Sequence, residues 1–292
     1  MVSNFPVHEK ITFYHIFSSL ICYSLFIIVN LILALLIPFV FMLTVFFDKD
    51  KKAFAYLVKI FSRIFCFINF IQKNDFDFSQ LQAPAKGERR IYVINHASMF
   101  DTVIMFLLPG PIKSLMKESY SKIPVIGWIA RLGGNIILRE NTGAGGQMNL
   151  YMNIVEQLEN GSPIVIFPEG TRSRDSRIGR FYPGTFKIAL DTRADLVPVV
   201  FDTWNVIRPG GLLIRDTRVT ARVLDKINYE DIKDLSYKDI SDNIRVKMIR
   251  ELLEIRDERR KSHPSYYRHN KKYQDIDNQM RSKVSELEGK IK

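Results

Sequence analysis

The chain has 292 residues, enough for one sizeable domain with an accessory segment. Its formal net charge of +11 points to anionic surroundings, namely lipid head groups, phosphorylated substrates or nucleic acid. Its two cysteines, Cys22 and Cys66, have the spacing of neither a disulfide framework nor a zinc site. We therefore expect no metal, and a protein that faces the cytoplasm.

The first apolar segment runs from Ile16 to Phe47 without a charged side chain. As a single helix at about 1.5 Å per residue it would measure roughly 48 Å, more than the roughly 30 Å of bilayer hydrocarbon. It is therefore one long tilted span, or it is broken at Asn30 or Pro38. A buried helical pair of a soluble protein and a cleaved signal peptide are the alternatives, and the length of the run disfavours both.

A second apolar stretch, Ala53 to Ile71, carries Lys59 and Arg63 four residues apart on one helical face. This pattern predicts a helix in the membrane interface with its basic face toward the head groups. Residues 1–72 are thus a predicted two-helix membrane anchor, which leaves transmembrane and monotopic insertion both open. Because lysines are more numerous after the first run than before it, we expect a cell inner or cytoplasmic membrane with the remaining chain in the cytoplasm.

The chain changes character after this anchor. Residues 73–87 are polar and predict a linker, and short apolar runs alternate with helical patterns beyond them. This alternation predicts an α/β domain over residues 88–256, with a mixed sheet flanked by helices. The predicted strands are Ile91–Asn95, Lys113–Met116, Asn135–Leu138, Ile164–Phe167, Val197–Phe201 and Arg218–Val223. The predicted helices are Ser98–Leu107, Ile126–Arg131, Met148–Glu159, Thr185–Asp191 and Ile240–Arg256.

Two segments lie outside these elements. The glycine-rich run at 142–146 lacks the Lys-Ser/Thr of a P-loop and the flanks of a dinucleotide fingerprint, so we expect a flexible loop. The tail, residues 257–292, is mostly charged and predicts a solvated or frayed helix. A membrane-surface contact and an interaction tail are alternatives for that tail.

The run Asn-His-Ala-Ser-Met-Phe-Asp, residues 95–101, follows the first predicted strand of the domain. Asp101 can fold back to accept the proton on one imidazole nitrogen of His96, which leaves the other nitrogen free to take a proton from a substrate hydroxyl. For this run alone, a structural histidine near a helix N-terminus is an equal alternative. Ligands usually bind at the carboxyl ends of strands in such sheets, where His96 is expected to lie.

The run Phe-Pro-Glu-Gly-Thr-Arg, residues 167–172, follows another predicted strand. Gly170 permits a tight turn whose amides face an anion, and the Arg172 guanidinium offers a fork of donors that matches phosphate. Further arginines follow closely, so the local field is strongly positive. An ordinary turn with a salt-bridged arginine is the simpler interpretation of this run alone.

Together the two runs resemble the motifs of the glycerolipid acyltransferase family, the 1-acyl-glycerol-3-phosphate acyltransferases. Two further blocks agree in order: residues 133–139, a glycine and then a strand that ends in an arginine, and residues 196–200, an apolar strand with a central proline. The resemblance covers roughly residues 88–206. The chain departs from the family pattern at Leu138 and Tyr182, among others, which bears on the preferred acceptor.

The resemblance implies acyl transfer from a thioester, acyl-CoA or acyl carrier protein, to the free hydroxyl of 1-acyl-glycerol-3-phosphate (lysophosphatidic acid). The product is phosphatidic acid, and no cofactor is implied. His96 would be the general base, held by Asp101. The substrate phosphate would be bound by Arg139, Glu169, Gly170, Thr171 and Arg172, and the acyl and donor pocket would include Lys117, Val197, Pro198 and Val199.

Three other interpretations remain. The same chemistry on another acceptor, a lysophospholipid or a lyso-aminolipid, is the nearest. A non-catalytic lipid-binding scaffold belongs to a different class, and the presence of both His96 and Asp101 argues against it. Nucleic-acid binding could explain the charge, but the sequence has no recognised motif for it. We expect lipid and membrane partners and no nucleic acid, since anionic lipid explains the charge better.

Overall fold

The structure is a computed structural model that describes residues 13–48, 51–68, 74–78, 81–139, 143–204, 206–207, 211–214, 219–262 and 271–291. The strands are β1 (Asn74–Asp77), β2 (Arg90–Ile94), β3 (Lys113–Lys117), β4 (Ile136–Leu138), β5 (Ile164–Ile166), β6 (Asp195–Asp202) and β7 (Val219–Val223). The helices are α1 (Phe13–Thr44), α2 (Lys52–Ile68), α3 (Asp101–Ile104), α4 (Glu118–Ser121), α5 (Ile126–Leu132), α6 (Gly143–Glu159), α7 (Gly184–Thr192), α8 (Tyr229–Ile232), α9 (Tyr237–Ser262) and α10 (Lys271–Ile291).

The seven strands form a single sheet in the order β1-β7-β6-β2-β5-β3-β4. The strands from β6 to β4 are mutually parallel, whereas β7 pairs antiparallel with β6 and parallel with β1. The central strands are continuous apolar runs because helices cover both of their faces. The predicted α/β class, a mixed sheet flanked by helices, is therefore confirmed.

Side chains alternate between the two faces of the sheet, and each face has its own core. Ile91 and Val93 of β2 point to one face, which packs against α6, α7, α9 and α10. We call it the C-terminal face. Tyr92 and Ile94 point to the other, which packs against α3 and contacts Cys22 of α1 along with α2. We call this second face the anchor face.

Helix α1 is apolar along its 32 residues, and Pro38 lies inside the helix without ending it. It is the one helix among the described residues that is long and apolar enough to cross a membrane, judged by length and composition. Many of its large apolar side chains are exposed, and Leu35 is 78% exposed. Such a surface is unfavourable in water, so α1 favours association with a membrane.

Helix α1 also contacts the rest of the protein at widely separated points. The Ser19 hydroxyl oxygen accepts the backbone N–H of Ile214 at 2.8 Å. Farther along, Leu33 and Ile37 are buried in a cluster that includes Phe54 of α2 and also contacts α5. Helix α1 therefore lies along the globular part over much of its length.

Helix α2 has the predicted amphipathic character, but one of its two basic residues points elsewhere. Arg63 is exposed, whereas Lys59 is buried and its Nζ donates to the carbonyl oxygen of Leu108 at 2.8 Å. The expectation that both residues face lipid head groups is thus wrong for Lys59. Burial of a cation requires such a partner, and this one ties α2 to the sheet domain. The two-helix anchor is supported in part.

The structure also revises three segments. Strand β1 lies within the predicted linker. It pairs with β7 through backbone groups, so its polar sequence did not predict a strand. Helix α6 begins at Gly143, and most of the glycine-rich run forms its first turn instead of a loop. Helix α10 in the charged tail packs on α9 with Ile276 and Met280 buried. The division of the chain at residues 72, 87 and 256 stays a prediction.

Candidate active site

His96 and Asp101 form a pair at the carboxyl edge of the sheet. His96 follows β2, and its Nδ1 lies 2.9 Å from Oδ2 of Asp101. Asp101 is fully buried, and the His96 side chain is 17% exposed. The same Oδ2 accepts the backbone N–H groups of Ala97 at 2.7 Å and Ser98 at 2.8 Å. These bonds explain why the helix starts at Asp101 and not at the predicted Ser98.

The other oxygen of the Asp101 carboxylate is also satisfied. The hydroxyl of Thr203, which follows β6, donates to Oδ1 of Asp101, and both side chains are fully buried. These hydrogen bonds fix the orientation of the carboxylate. Sequence reasoning missed Thr203. The available signal was its place just after the predicted strand Val197–Phe201, at the same edge of the sheet as His96.

Two more contacts hold the segment that carries the histidine. The Asn95 side chain forms a closed pair of bonds with the backbone of Phe201: Nδ2 donates to the carbonyl oxygen at 2.8 Å, and Oδ1 accepts the N–H at 2.7 Å. This pair joins the end of β2 to β6. The ring of Phe167 stacks on the imidazole of His96 with 4.3 Å between centroids. The imidazole is therefore fixed by packing as well as by its hydrogen bond.

Glu169 is buried, and its carboxylate accepts hydrogen bonds from the backbone. Its Oε1 accepts the N–H of His96 at 3.0 Å, and its Oε2 accepts the N–H of Gly179 at 2.8 Å. Burial raises the pKa of Glu169 from 4.5 to about 7, although the two N–H donors and nearby Arg245 act in the opposite direction. The N–H of Ser173 donates to the carbonyl oxygen of His96 at 2.7 Å. Both backbone groups of His96 are thus bonded to the segment that contains Glu169.

This position differs from the predicted phosphate contact of Glu169. A buried carboxylate whose two oxygens each accept a backbone N–H repels a phosphate and has no donor to offer it. Gly170 beside it makes the predicted tight turn, since its φ of +67° is in the left-handed region. A Cβ atom at Gly170 would also lie 2.8 Å from the ring of Tyr182. Thr171 is exposed and Arg172 is half-buried.

A cavity of about 590 Å³, which we call the basic cleft, lies beside this turn. Six cationic side chains and two carboxylates line it, so its field is positive. Its lining residues are Glu169, Thr171, Arg172, Ser173, Arg174, Asp175, Arg177, Ile178, Gly179, Arg180, Arg245, Ile249, Gln279, Met280 and Lys283. Within the described residues, no group of three or more His, Cys, Asp or Glu is placed to hold a metal ion.

Two predicted basic contacts lie outside the basic cleft. Arg139 follows β4 at the edge of the sheet, with its side chain 70% exposed and its Nε 4.0 Å from Oε1 of Glu118. Lys117 ends β3 and is exposed. Strand β3 lies between β4 and β5, so Arg139 is farther from the turn after β5 than the block order suggested.

The predicted acyl pocket residues lie in β6. Val197 and Val199 are fully buried in the core of the anchor face, against Phe100 and neighbouring side chains. Pro198 between them points to the opposite face, because side chains alternate along a strand. The three residues therefore do not face one open pocket. Of the three, only Val197 and Val199 share a face with helices α1 and α2.

Comparison with known proteins shows what the domain is similar to. The model of the Acyltransferase family matches residues 75–202, which include both His96 and Arg172. A 1-acyl-sn-glycerol-3-phosphate acyltransferase from Chlamydomonas reinhardtii is 31% identical over 128 residues, 44% of this chain and 38% of that protein. A lyso-ornithine lipid O-acyltransferase from Pseudomonas aeruginosa is 28% identical over 120 residues, 41% of this chain and 45% of that protein. The chain thus spans less than half the length of these two relatives.

The fold has a counterpart among solved structures. The crystal structure of PlsC, the 1-acyl-sn-glycerophosphate acyltransferase from Thermotoga maritima, matches 78% of this chain and 96% of its own, with a TM-score of 0.60 and 21% identity. This match shows the fold. Together with the family match over residues 75–202, it confirms the resemblance to the glycerolipid acyltransferase family.

Proposed function

We propose that the protein is an O-acyltransferase that moves a fatty acyl group from an acyl thioester to the free hydroxyl of a lysolipid. The leading acceptor is 1-acyl-glycerol-3-phosphate, with phosphatidic acid as the product. The observation that carries this proposal is the pair of His96 and a fully buried, fully bonded Asp101 next to a basic turn. The names of the relatives support acyl transfer to a lysolipid.

In the proposed reaction, Asp101 holds the proton on Nδ1 of His96, and Nε2 takes the proton of the acceptor hydroxyl. The hydroxyl oxygen forms a bond to the thioester carbonyl carbon, and the carbon–sulfur bond then breaks. The proton on Nε2 passes to the departing thiolate, which leaves His96 neutral for the next cycle. The buried carboxylate stabilises the imidazolium that exists between these steps.

In the proposed acceptor site, Thr171 and Arg172 bind the phosphate of the lysolipid. Arg172 makes no ion pair with any described residue, so its guanidinium is available to an incoming anion. Gly170 provides the left-handed turn that brings these side chains beside His96. We assign Glu169 to shaping that turn instead of to the phosphate, because its oxygens are bonded to the backbone.

The proposed setting is the cytoplasmic membrane, with the sheet domain on the cytoplasmic side. Helix α1 presents exposed apolar side chains while it contacts the domain near Ser19 and again near Ile37. A helix that projected across the bilayer from one end would contact the domain near that end alone. This arrangement favours a helix that lies in the membrane surface and brings the site to the lysolipid.

The second candidate is the same reaction on an aminoacyl lysolipid. The lyso-ornithine lipid relative favours it, and so does the exposed position of Arg139 away from the basic cleft. An aminoacyl lysolipid lacks the phosphate that Arg139 was expected to bind. A non-catalytic lipid-binding scaffold is disfavoured, because the hydrogen bonds around Asp101 are complete.

The test is an acyl-transfer assay on the purified, detergent-solubilised protein with long-chain acyl-CoA and, separately, with acyl carrier protein thioester. The acceptor panel contains lysophosphatidic acid, lysophospholipids with larger head groups and lyso-ornithine lipid. We expect phosphatidic acid as the main product. If another lysolipid were acylated preferentially, the proposed acceptor would be wrong and the proposed reaction would stand. No product with either donor and any acceptor would overturn the proposal in favour of the scaffold.

A further inference from the structure

The basic cleft has two walls of different origin. One wall is the turn and loop from Thr171 to Arg180, and the other is formed by Arg245 of α9 with Gln279 and Lys283 of α10. The family match ends at residue 202, so the second wall lies outside the matched domain.

Buried ion pairs hold the two walls at a fixed spacing. The Arg256 side chain is 3% exposed, with Nη1 2.6 Å from Oδ1 of Asp277 on α10 and Nη2 donating at 2.8 Å to the carbonyl oxygen of Ser176 in the loop. Asp202 at the end of β6 pairs with Arg259 of α9 at 2.7 Å. Such bidentate and charge-assisted contacts are rigid. The basic cleft is therefore a built feature of the folded chain.

The described residues neutralise only part of the positive charge inside the basic cleft, where Lys283 pairs with Glu286 at 2.6 Å. The oxygens of Glu169 accept backbone N–H groups, and Asp175 pairs with Arg177 at 2.8 Å. Arg172, Arg174 and Arg180 make no ion pair with any described residue. Like-charged groups crowded at one site favour a bound anion.

Arg245 is partly buried, whereas Arg174 and Arg180 are exposed. Its Nη2 donates to the carbonyl oxygen of Ile178 at 3.3 Å, and its Nε is buried with no hydrogen-bond partner among the described residues. Burial lowers the pKa of Arg245, and neighbouring Arg180 acts in the same direction. A desolvated guanidinium with an unpaired donor costs free energy that a bound anion offsets.

The basic cleft is also remote from the membrane helices. Its apolar lining residues, Ile178, Ile249 and Met280, belong to the core of the C-terminal face. Helices α1 and α2 pack on the anchor face. A lysolipid keeps its acyl chain in the membrane, so the side of the basic cleft formed by α9 and α10 suits a water-soluble anion better than a lipid. Thr171 and Arg172, proposed above to bind the lysolipid phosphate, lie on the other side, where their neighbours Glu169 and Ser173 are bonded to His96.

We propose that the C-terminal half of the basic cleft, around Arg180, Arg245 and Lys283, holds the phosphates at the nucleotide end of an acyl-coenzyme A donor. This rests on the acyl transfer proposed above. Coenzyme A carries a diphosphate and a ribose phosphate, which match the cations of this half, and a cavity of about 590 Å³ exceeds the needs of one phosphate. Lys283 pairs with Glu286 at 2.6 Å, but a partly exposed pair of this kind contributes little, so a phosphate can take the place of the carboxylate. The flexible arm of coenzyme A carries the thioester toward His96, whose backbone meets the lining residue Glu169.

The test uses the full chain with Arg180→Gln and Lys283→Gln combined. The matched control is Lys247→Gln with Arg250→Gln, two exposed cations of α9 that do not line the basic cleft. We expect the KM for acyl-CoA to rise about tenfold in the first variant, with the KM for the lysolipid and kcat unchanged. The control should match the parent, and thermal unfolding checks that both variants fold.

A truncated donor tests whether lost contacts to the phosphates cause the rise in KM for acyl-CoA. With an acyl thioester of pantetheine, which lacks every phosphate of the nucleotide end, the parent and the Arg180→Gln, Lys283→Gln variant should have equal KM values. A raised lysolipid KM with an unchanged acyl-CoA KM would overturn the proposal and assign the half-cleft to the acceptor. Equal KM values for acyl-CoA in variant and parent would overturn it as well, and so would a parent that uses only acyl carrier protein thioester.

Direct binding separates this inference from the proposed reaction. Calorimetric titration with 3′-phosphoadenosine 5′-diphosphate, the nucleotide end of coenzyme A with all three of its phosphates, needs no acyl transfer. We expect binding to the parent and to the Lys247→Gln, Arg250→Gln control, with about tenfold weaker binding to the Arg180→Gln, Lys283→Gln variant. A parent that transfers acyl groups but does not bind this nucleotide refutes the subsite alone. A parent that binds it but transfers nothing refutes the reaction alone.

Discussion

The His96–Asp101 pair and the basic cleft lie next to each other but differ in how their polar groups are satisfied. Asp101 is fully buried, and each of its oxygens accepts a hydrogen bond from within the protein. Arg172, Arg174 and Arg180 in the basic cleft make no ion pair with any described residue. The hydrogen bonds of the pair are thus complete in the folded chain, whereas the cations of the basic cleft would gain partners from the proposed ligands.

This difference separates two kinds of contribution to activity. Groups that the fold holds in place act on the chemical step, because they stabilise charge that develops only in the transition state. Groups that gain a partner only when a ligand binds contribute first to the affinity for that ligand. Changes around Asp101 should therefore lower kcat, and changes in the basic cleft should raise KM.

The largest effect within this comparison is expected for Asp101→Asn. The asparagine oxygen can accept the N–H groups of Ala97 and Ser98 while its amide donates to the Thr203 hydroxyl, so the fold is retained. The negative charge beside His96 is lost, and we expect kcat to fall about 10²- to 10⁴-fold with little change in KM. Steady-state kinetics with Asp191→Asn, an exposed carboxylate paired with Lys187, as control provides the check. Parental kcat in Asp101→Asn would mean that the charge has no part in the reaction.

Thr203→Val tests the contact that sequence reasoning missed. Valine has nearly the same shape but leaves Oδ1 of Asp101 without its donor, a loss that typically costs about 1.5–3 kcal/mol for a charged acceptor. We expect kcat to fall about 10- to 100-fold at an unchanged KM. Thr203→Ser retains the hydroxyl and should restore most of the rate. Equal losses in both variants would indicate that packing, and not the hydrogen bond, explains the effect.

Glu169 joins the segment of His96 to the basic cleft, and Glu169→Gln tests how much this link contributes to the free energy of unfolding. The glutamine amide would place an N–H against a backbone N–H of His96 or Gly179, at a cost of about 1–3 kcal/mol in the free energy of unfolding. Denaturant unfolding at pH 8 measures it. A variant at least as stable as the parent at pH 8 would show that the cost of burying the ionised carboxylate, which raises its pKa, outweighs the two hydrogen bonds.

The same residue predicts a pH dependence. Burial raises the pKa of Glu169 from 4.5 to about 7, so folding takes up a proton between these values. Its contribution to stability is full below about pH 4.5 and declines as the pH rises through 7, by up to about 3 kcal/mol in total. Glu169→Gln removes the titrating group. The difference in unfolding free energy between the parent and this variant should therefore change between pH 5 and pH 8, and a constant difference would contradict the assignment.

The smallest effect is expected for Arg172→Gln. Loss of one guanidinium from the turn should raise the KM for a phosphate-bearing lysolipid about tenfold and leave kcat nearly unchanged. Arg131→Gln on α5, exposed and outside the basic cleft, is the control. A lowered kcat at an unchanged KM would instead assign Arg172 to the transition state and blur the distinction between the two regions.

Much of the fold could be predicted from the sequence because the central strands are buried on both faces. The runs Ile91–Asn95 and Ile164–Phe167 are continuous and apolar, and the observed strands Arg90–Ile94 and Ile164–Ile166 agree within one residue at either end. Strand β1, Asn74–Asp77, could not be found this way. It lies at the edge of the sheet, where backbone pairing suffices and its side chains show no apolar pattern.

The candidate site was predictable where its residues are close in sequence. Asp101 lies five residues from His96, and a local turn brings them together. Thr203 reaches the same carboxylate from 102 residues away, and Arg245 reaches the basic cleft from a helix beyond the matched domain. Such contacts depend on strand order and helix packing, which no local pattern encodes. The buried position of Glu169 was missed because its motif alone suggests a ligand contact.

The central claim is that His96 is the general base of an acyl transfer. The most direct measurement is kcat for acyl transfer from acyl-CoA to lysophosphatidic acid by the parent and by His96→Ala, with thermal unfolding and membrane binding of both proteins measured alongside. We predict that His96→Ala folds and binds membranes like the parent and that its kcat is at least about 10²-fold lower. A folded His96→Ala variant that turns over at the parental rate would contradict the account.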